Sequence, residues 1–218
     1  MTSRTPYRLR SFSPQDPGEI ERMNLMFYHP HVMKYMGFDA REYRPTAHGE
    51  LQRADRTMFS TSSAVSRKHT DVAYAVADAH NNLVGWIWFC VDRRHPFPKR
   101  VARRLDLPRT SRIYQVVYEK LLSEGWPEEL FAKVIHVHPT ELFAPRRGVI
   151  VEGLRLAIAR LKRSYRKLYA TPRTLVFYAF VLPDNFASQK VLLRNGFVKE
   201  ERQYWCDGVQ HELWVRVH

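Results

Sequence analysis

Thr174-Leu-Val-Phe-Tyr-Ala-Phe-Val-Leu182-Pro-Asp-Asn-Phe-Ala-Ser-Gln-Lys-Val-Leu-Leu-Arg-Asn-Gly-Phe197 decides the reading of this 218-residue chain. Its first nine residues are almost wholly apolar and rich in β-branched and aromatic side chains, the pattern of a strand covered on both faces. Such a strand belongs in the middle of a sheet. Pro183 stops it, Asn185 offers a capping oxygen, a short helix runs to Asn195, and Gly196 ends that helix. Phe197 to Tyr204 and Val209 to Val217 then read as a hairpin turning at Asp207-Gly208.

Working toward the N-terminus, Ile150, Leu154, Ala157, Ile158, Leu161, Tyr165 and Leu168 follow the spacing of one helical face, with Arg155, Lys162, Arg163, Arg166 and Lys167 largely opposite. Leu130 to His138 reads as the strand before it, and Pro139 to Arg147 as the intervening loop. Val72 to Ala77 and Leu83 to Val91 flank Asp78-Ala-His-Asn-Asn82, so they form an antiparallel hairpin. Tyr7 to Phe12 alternates as a half-buried strand. A helix follows from Ile20, and a second short one carries Val32, Met33, Tyr35 and Met36. Residues 39 to 70 read as a polar connection, with a helix around Thr46 to Phe59. Residues 92 to 129 crowd arginines and lysines among prolines and read as a basic insert carrying a helix from about Ser111 to Ser123. The expectation is one domain, 1–218, of mixed α/β class.

Composition narrows the function classes. Hydrophobic residues make up 44% and aromatics 13%, a globular balance. The longest clear apolar run, Leu83 to Val91, is far shorter than the roughly 20 residues that cross a bilayer. The charged N-terminus has no apolar stretch behind it, so a cytoplasmic protein is expected. Two cysteines cannot build a disulfide framework or an all-thiolate zinc site. The excess of 35 basic over 22 acidic side chains, a net +13, favours anionic partners.

Two places concentrate chemistry. A strand, then Arg146-Arg147-Gly148, then the long helix aim unpaired helix N–H groups and positive charge at one point, which suits phosphate. At the end of the central strand, Asn185, Ser188 and Lys190 bring together an amide, a hydroxyl and an ammonium. These groups can orient a polar chain and donate a proton.

The Asn185-x-x-Ser188 … Gly196-Phe197 segment resembles the one near the end of GNAT-family N-acetyltransferases. Tyr7-Arg-Leu-Arg10, His31-Val-Met-Lys-Tyr-Met-Gly-Phe38 and the Asp207-Gly208 hairpin resemble the ribosomal-protein N-terminal (alanine) acetyltransferase branch. The resemblance implies a GNAT-like, mostly antiparallel sheet with two splayed parallel strands, flanked by helices, and assigns the splay to 130–138 and 174–182. It also implies acetyl-CoA as acyl donor, with transfer to a primary amine: a protein N-terminus, a lysine or a small amine. The pyrophosphate would rest on Arg146, Arg147, Gly148, Val149 and Val151. Asn185 would orient the pantetheine amides, and Lys190 would meet the 3′-phosphate. Backbone N–H groups from His136 to His138 would polarise the thioester carbonyl, and Ser188 would protonate the thiolate.

The sequence also departs from that pattern. The family's phosphate loop reads Arg/Gln-x-x-Gly-x-Gly/Ala; with Arg146 at its first position, Val149 and Val151 stand where small residues are usual, and their bulk would narrow the site. Several branches carry a tyrosine at the position of Leu192. Ser188 and Asn185 also suit plain helix capping. His136 and His138 are candidate general bases, with packing as the alternative. Neither that pair nor His29 with His31 has further ligands at metal spacing, so no metal is expected. A degenerate fold that binds nucleic acid, ribosome or an acidic protein through its basic surface is the competing reading. Aromatics on the last hairpin, Tyr204 and Trp214, suggest a homodimer.

Overall fold

The computed structural model describes residues 7–13, 16, 19, 22, 23, 26, 29, 63–65, 68, 70–91, 96–120, 148–206 and 208–218. Its elements are β1 (Arg8–Arg10), β2 (Val72–Ala77), β3 (Leu83–Val91), α1 (Lys99–Arg104), β4 (Arg112–Lys120), α2 (Val149–Leu168), β5 (Leu175–Val181), α3 (Phe186–Arg194), β6 (Val198–Cys206) and β7 (Val209–Val217). The strands form one sheet in the order β1-β2-β3-β4-β5-β7-β6. Every neighbouring pair is antiparallel except β4–β5. The expected mixed sheet is present.

Local chemistry explains the turns. Asp78 Oδ1 accepts from the backbone N–H groups of His80 and Asn82 at 2.8 and 2.9 Å, an Asx-type turn that reverses β2 into β3. Asn81 takes the left-handed conformation there, which asparagine tolerates. Further on, β5 is buried along nearly its whole length, as its apolar run requires.

One helix supplies most of the cover on one face. Ile150, Leu154, Ala157, Ile158, Leu161 and Tyr165 of α2 are buried against Tyr74, Val76, Ile87, Phe89, Tyr114 and Phe177. Gly153 lets that helix approach the sheet closely: a Cβ there would stand 2.8 Å from Val76 Cγ2 and 3.3 Å from Ile87 Cδ1. Beneath the C-terminal half of α2, the hydroxyls of Tyr114 and Tyr165 hydrogen-bond at 2.6 Å, which satisfies both in the interior.

The second face is covered in two patches. Met23 and Met26 pack with Ala75, Leu83 and Trp86. Phe97 and Val101 pack on Val176, Tyr178, Leu213 and Val215. Two arginines of α1 are tied to β6: Arg100 donates to Tyr204 Oη at 2.6 Å and lies over its ring, and Arg104 pairs with Glu200. The first half of the stretch read as a basic insert is therefore the lid of an apolar patch.

Three expectations are corrected. The helix read over Ser111 to Ser123 is instead a strand across 112–120, because Ile113, Val116 and Val117 are β-branched and Tyr114 and Tyr118 aromatic. Tyr114, Val116 and Tyr118 face α2 while Ile113 and Val117 face the opposite patches, the period-2 alternation of a strand. The parallel partner of β5 is therefore 112–120, not 130–138, and that part of the stretch read as an insert is a strand of the sheet. Lastly, Trp214 is buried and Tyr204 half-buried, so the exposed aromatic of the last hairpin is Trp205. The strand read at 130–138, the loop behind it, and the helices read at 32–36 and 46–59 lie outside the described residues.

No described helix is long and apolar enough to cross a membrane. Among the described residues no three His, Cys, Asp or Glu side chains stand where they could hold a metal ion.

Candidate functional site

The two parallel strands part midway. Arg112 to Gln115 register with Leu175 to Tyr178, and there the pairing stops. Beyond it, β4 continues to Lys120 bonded to β3, while β5 continues to Val181 bonded to β7. Val116–Lys120 and Ala179–Val181 thus face each other across a seam with no ladder between them. A parted seam is a place where an extended polar chain can lie between two strand edges.

The N-terminus of α2 lies at the open end of this seam. The helix runs back from it, so that Gly153 reaches Ile87, the register partner of Tyr118, and Tyr165 reaches Tyr114 near the closed end. Gly148 is the N-cap in the left-handed conformation, with φ 81° and no side-chain cap bond. A Cβ added there would meet nothing within 4 Å among the described residues. The first N–H groups of a helix have no acceptor within it, and its dipole favours an anion at this end. The one acid of the first turn, Glu152, is neutralised by Arg155 three residues on; that hydrogen bond holds its carboxyl below the ordinary range.

Val149 and Ile150 are both buried against the core, whereas Val151 is half-buried. The bulk of Val149, expected to crowd a phosphate, is therefore turned inward. The Val151 carbonyl accepts from Asn195 Nδ2 at 3.1 Å, which ties the first turn of α2 to the end of α3.

The opposite wall is the first turn of α3. Asn185 Oδ1 accepts from the Ser188 backbone N–H at 3.1 Å, the capping bond its position suggests. Gln189 Nε2 donates to the Pro183 carbonyl at 2.8 Å. Ser188 is half-buried and Lys190 exposed. Among the described residues the Ser188 hydroxyl has no hydrogen-bond partner, while its carbonyl accepts from Tyr118 Oη at 3.1 Å. Tyr118 comes from β4, so this bond spans from one wall of the seam to the helix on the other. Burial pushes its pKa up, so the phenol stays a neutral donor.

Asn185 and Ser188 are thus tied through Tyr118 to β4 at the seam, the end of α3 is tied through Asn195 to the start of α2, and Lys190 is exposed on α3. His136, His138, Arg146 and Arg147 lie outside the described residues. Sequence reasoning missed Tyr118 and the seam-lining part of β4, because that strand was assigned elsewhere; the signal was the β-forming run Ile113-Tyr-Gln-Val-Val-Tyr118.

The same architecture occurs in solved acetyltransferases. A ribosomal-protein-S5-alanine acetyltransferase from Vibrio fischeri aligns with 99% of this chain and 94% of its own, at a TM-score of 0.56 and 17% identity. RimJ of Mycobacterium smegmatis, solved with CoA-disulfide, aligns over 97% and 81% at 0.55 and 15%. RimL, a ribosomal L7/L12 alpha-N-protein acetyltransferase solved with coenzyme A, aligns over 98% and 95% at 0.56 and 13%. The chain has the GNAT fold. No family model and no curated protein sequence matches it.

Proposed function

We propose that this GNAT-fold chain is an N-acetyltransferase that moves an acetyl group from acetyl-CoA directly to a primary amine. The observation that carries the reading is the parted β4–β5 seam, with the glycine-capped start of α2 at its mouth. The residues fit the group: Gly148 adds no side chain beside helix N–H groups that have no acceptor among the described residues, and the two strand edges of the seam flank the path of the pantetheine amides. Acetyl-CoA, when bound, supplies an activated acetyl thioester.

The chain's own residues supply the rest. The N–H groups of Val149 to Val151 receive the pyrophosphate, with Arg146 and Arg147 as neighbouring cations. Backbone N–H groups of β4 between Val116 and Tyr118 take over the carbonyl-polarising role first assigned to His136–His138, since 112–120 is the strand at the seam. Asn185 fixes the first turn of α3, so the Ser188 hydroxyl is held at the opening and donates a proton to the departing sulfur. His136 and His138 remain candidates to accept the amine proton. Lys190, exposed on α3, stands ready for the 3′-phosphate.

The acceptor is a protein N-terminus, a lysine or a small amine: two of the similar structures are named as ribosomal-protein acetyltransferases, and others as an aminoglycoside and a spermidine acetyltransferase. Acetyl-CoA at 100 times its Kd should add about 2.7 kcal/mol of stability, read as a rise in melting temperature. Ser188→Ala should keep that rise and lose about 100-fold or more in kcat. An absent thermal shift sinks cofactor binding; an unchanged kcat removes Ser188 from the chemistry.

A further inference from the structure

The end of the sheet away from the seam concentrates cations. There β4 and β5 begin, joined by Arg112 N–H to the Thr174 carbonyl at 2.8 Å, and β7 ends, with His218 and Leu175 exchanging two backbone bonds of 2.8 Å. The guanidinium carbons of Arg112 and Arg173 lie 5.9 and 5.0 Å from the centre of the Tyr169 ring, on which Tyr165 also stacks. Lys162 Nζ is 3.1 Å from His218 Nδ1. On the last turns of α2, Arg163, Arg166 and Lys167 are exposed.

None of these groups forms an ion pair with a described acid; the described pairs involve Glu19, Glu152, Glu200 and Glu212 elsewhere. Arg112 Nε, Arg173 Nε and His218 Nε2 are buried without a hydrogen-bond partner among the described residues. The crowding leaves a trace: burial, then Arg216 and Lys162, push the His218 pKa down to about 4, and burial, then Arg166 and Arg216, lower that of Lys162. Like charges gathered with no described acidic side chain paired to them repel one another, and a polyanion would relieve them.

We infer that this end of the molecule docks the phosphate backbone of a single-stranded nucleic acid. Two features favour that over an acidic peptide. The cations are mostly arginines, whose planar forks match phosphate oxygens, and guanidinium planes laid beside aromatic rings are surfaces on which unstacked bases pack. The inference does not depend on acetyl transfer, since the surface lies at the opposite end of β4 and β5 from the seam.

The test is fluorescence anisotropy of the full chain with a labelled 20-nucleotide oligouridylate between 50 and 200 mM KCl. With about four phosphates neutralised, affinity should fall roughly 50-fold over that range. The triple variant Arg163→Ala, Arg166→Ala, Lys167→Ala should bind at least about tenfold more weakly at 50 mM salt and show a shallower salt dependence. Its thermal shift with acetyl-CoA should match that of the parent, which separates this surface from the seam. No binding at 50 mM salt overturns the inference. So does an equal loss in the control variant Arg103→Ala, Arg202→Ala, or stronger binding of a polyglutamate peptide than of the oligonucleotide.

Discussion

Gly153→Ala tests how closely α2 must approach the sheet. The new methyl would meet Val76 Cγ2 at 2.8 Å, and Val76 is fully buried on a β-branched side chain with little rotamer freedom. Neither partner can step aside cheaply. Alanine in a helix interior gains about 1 kcal/mol over glycine, whereas an extra methyl forced into a packed core costs typically 1–3 kcal/mol. The 2.8 Å approach puts the cost in the upper part of that range, so overpacking wins, for a net loss of about 1–2 kcal/mol, read as a lower midpoint in urea with an unchanged slope. Because α2 carries Gly148 at its start, a helix pushed outward also displaces its N-terminal N–H groups from the seam, and the acetyl-CoA thermal shift should shrink. Pairing it with Val76→Ala makes the reasoning refutable: that change alone opens a cavity, yet in the double variant the methyl added on the helix fills part of it. The two effects should then couple by about 1 kcal/mol or more in the stabilising direction. A Gly153→Ala protein as stable as the parent, or strict additivity in the cycle, refutes the close-approach argument.

Asn185→Ala should destabilise by about 1 kcal/mol through loss of the α3 cap, with Asn185→Asp close to neutral, both read in urea melts. Tyr114→Phe removes the partner of the buried Tyr165 hydroxyl and should cost about 1–3 kcal/mol; adding Tyr165→Phe should recover most of it. Because the folded pKa of His218 is pushed down to about 4, below the usual 6.5, the unfolded chain binds more protons in between. Its contribution to stability is then fully present above about pH 6.5 and is lost as pH falls toward 4. His218→Asn should flatten that part of the stability–pH profile, and an identical profile would contradict the assignment.

The central strand, the long helix and both hairpins were legible because each shows one unambiguous period. Val72–Ala77 and Leu83–Val91 stand within clear turn chemistry, and the apolar face of α2 keeps helical spacing for 20 residues. β4 was misread because Ile113, Tyr114, Val117 and Tyr118 satisfy helical spacing as well as a strand with two covered faces, so periodicity alone could not choose. Its β-branched and aromatic content, decisive in the sheet, was outweighed by the surrounding charge. At the site, Asn185 and Ser188 were legible from local capping chemistry. Tyr118 was not, since its bond to the Ser188 carbonyl joins residues 70 apart, a contact no window of sequence exposes. Likewise Val149 read as an obstacle only because the direction of its side chain depends on how α2 lies on the sheet.

The strand order sets a schedule for synthesis. β5 fits between β4 and β7, and β4 emerges from the ribosome more than fifty residues before its parallel neighbour. Until then one long border of β4 stays bare, as do Phe97 and Val101, whose apolar partners on β5 and β7 have yet to emerge. Nascent chains paused in α2 would carry an adhesive margin open to pairing with one another. Closure is a late, long-range event, so folding yield should depend on how promptly the last forty residues arrive.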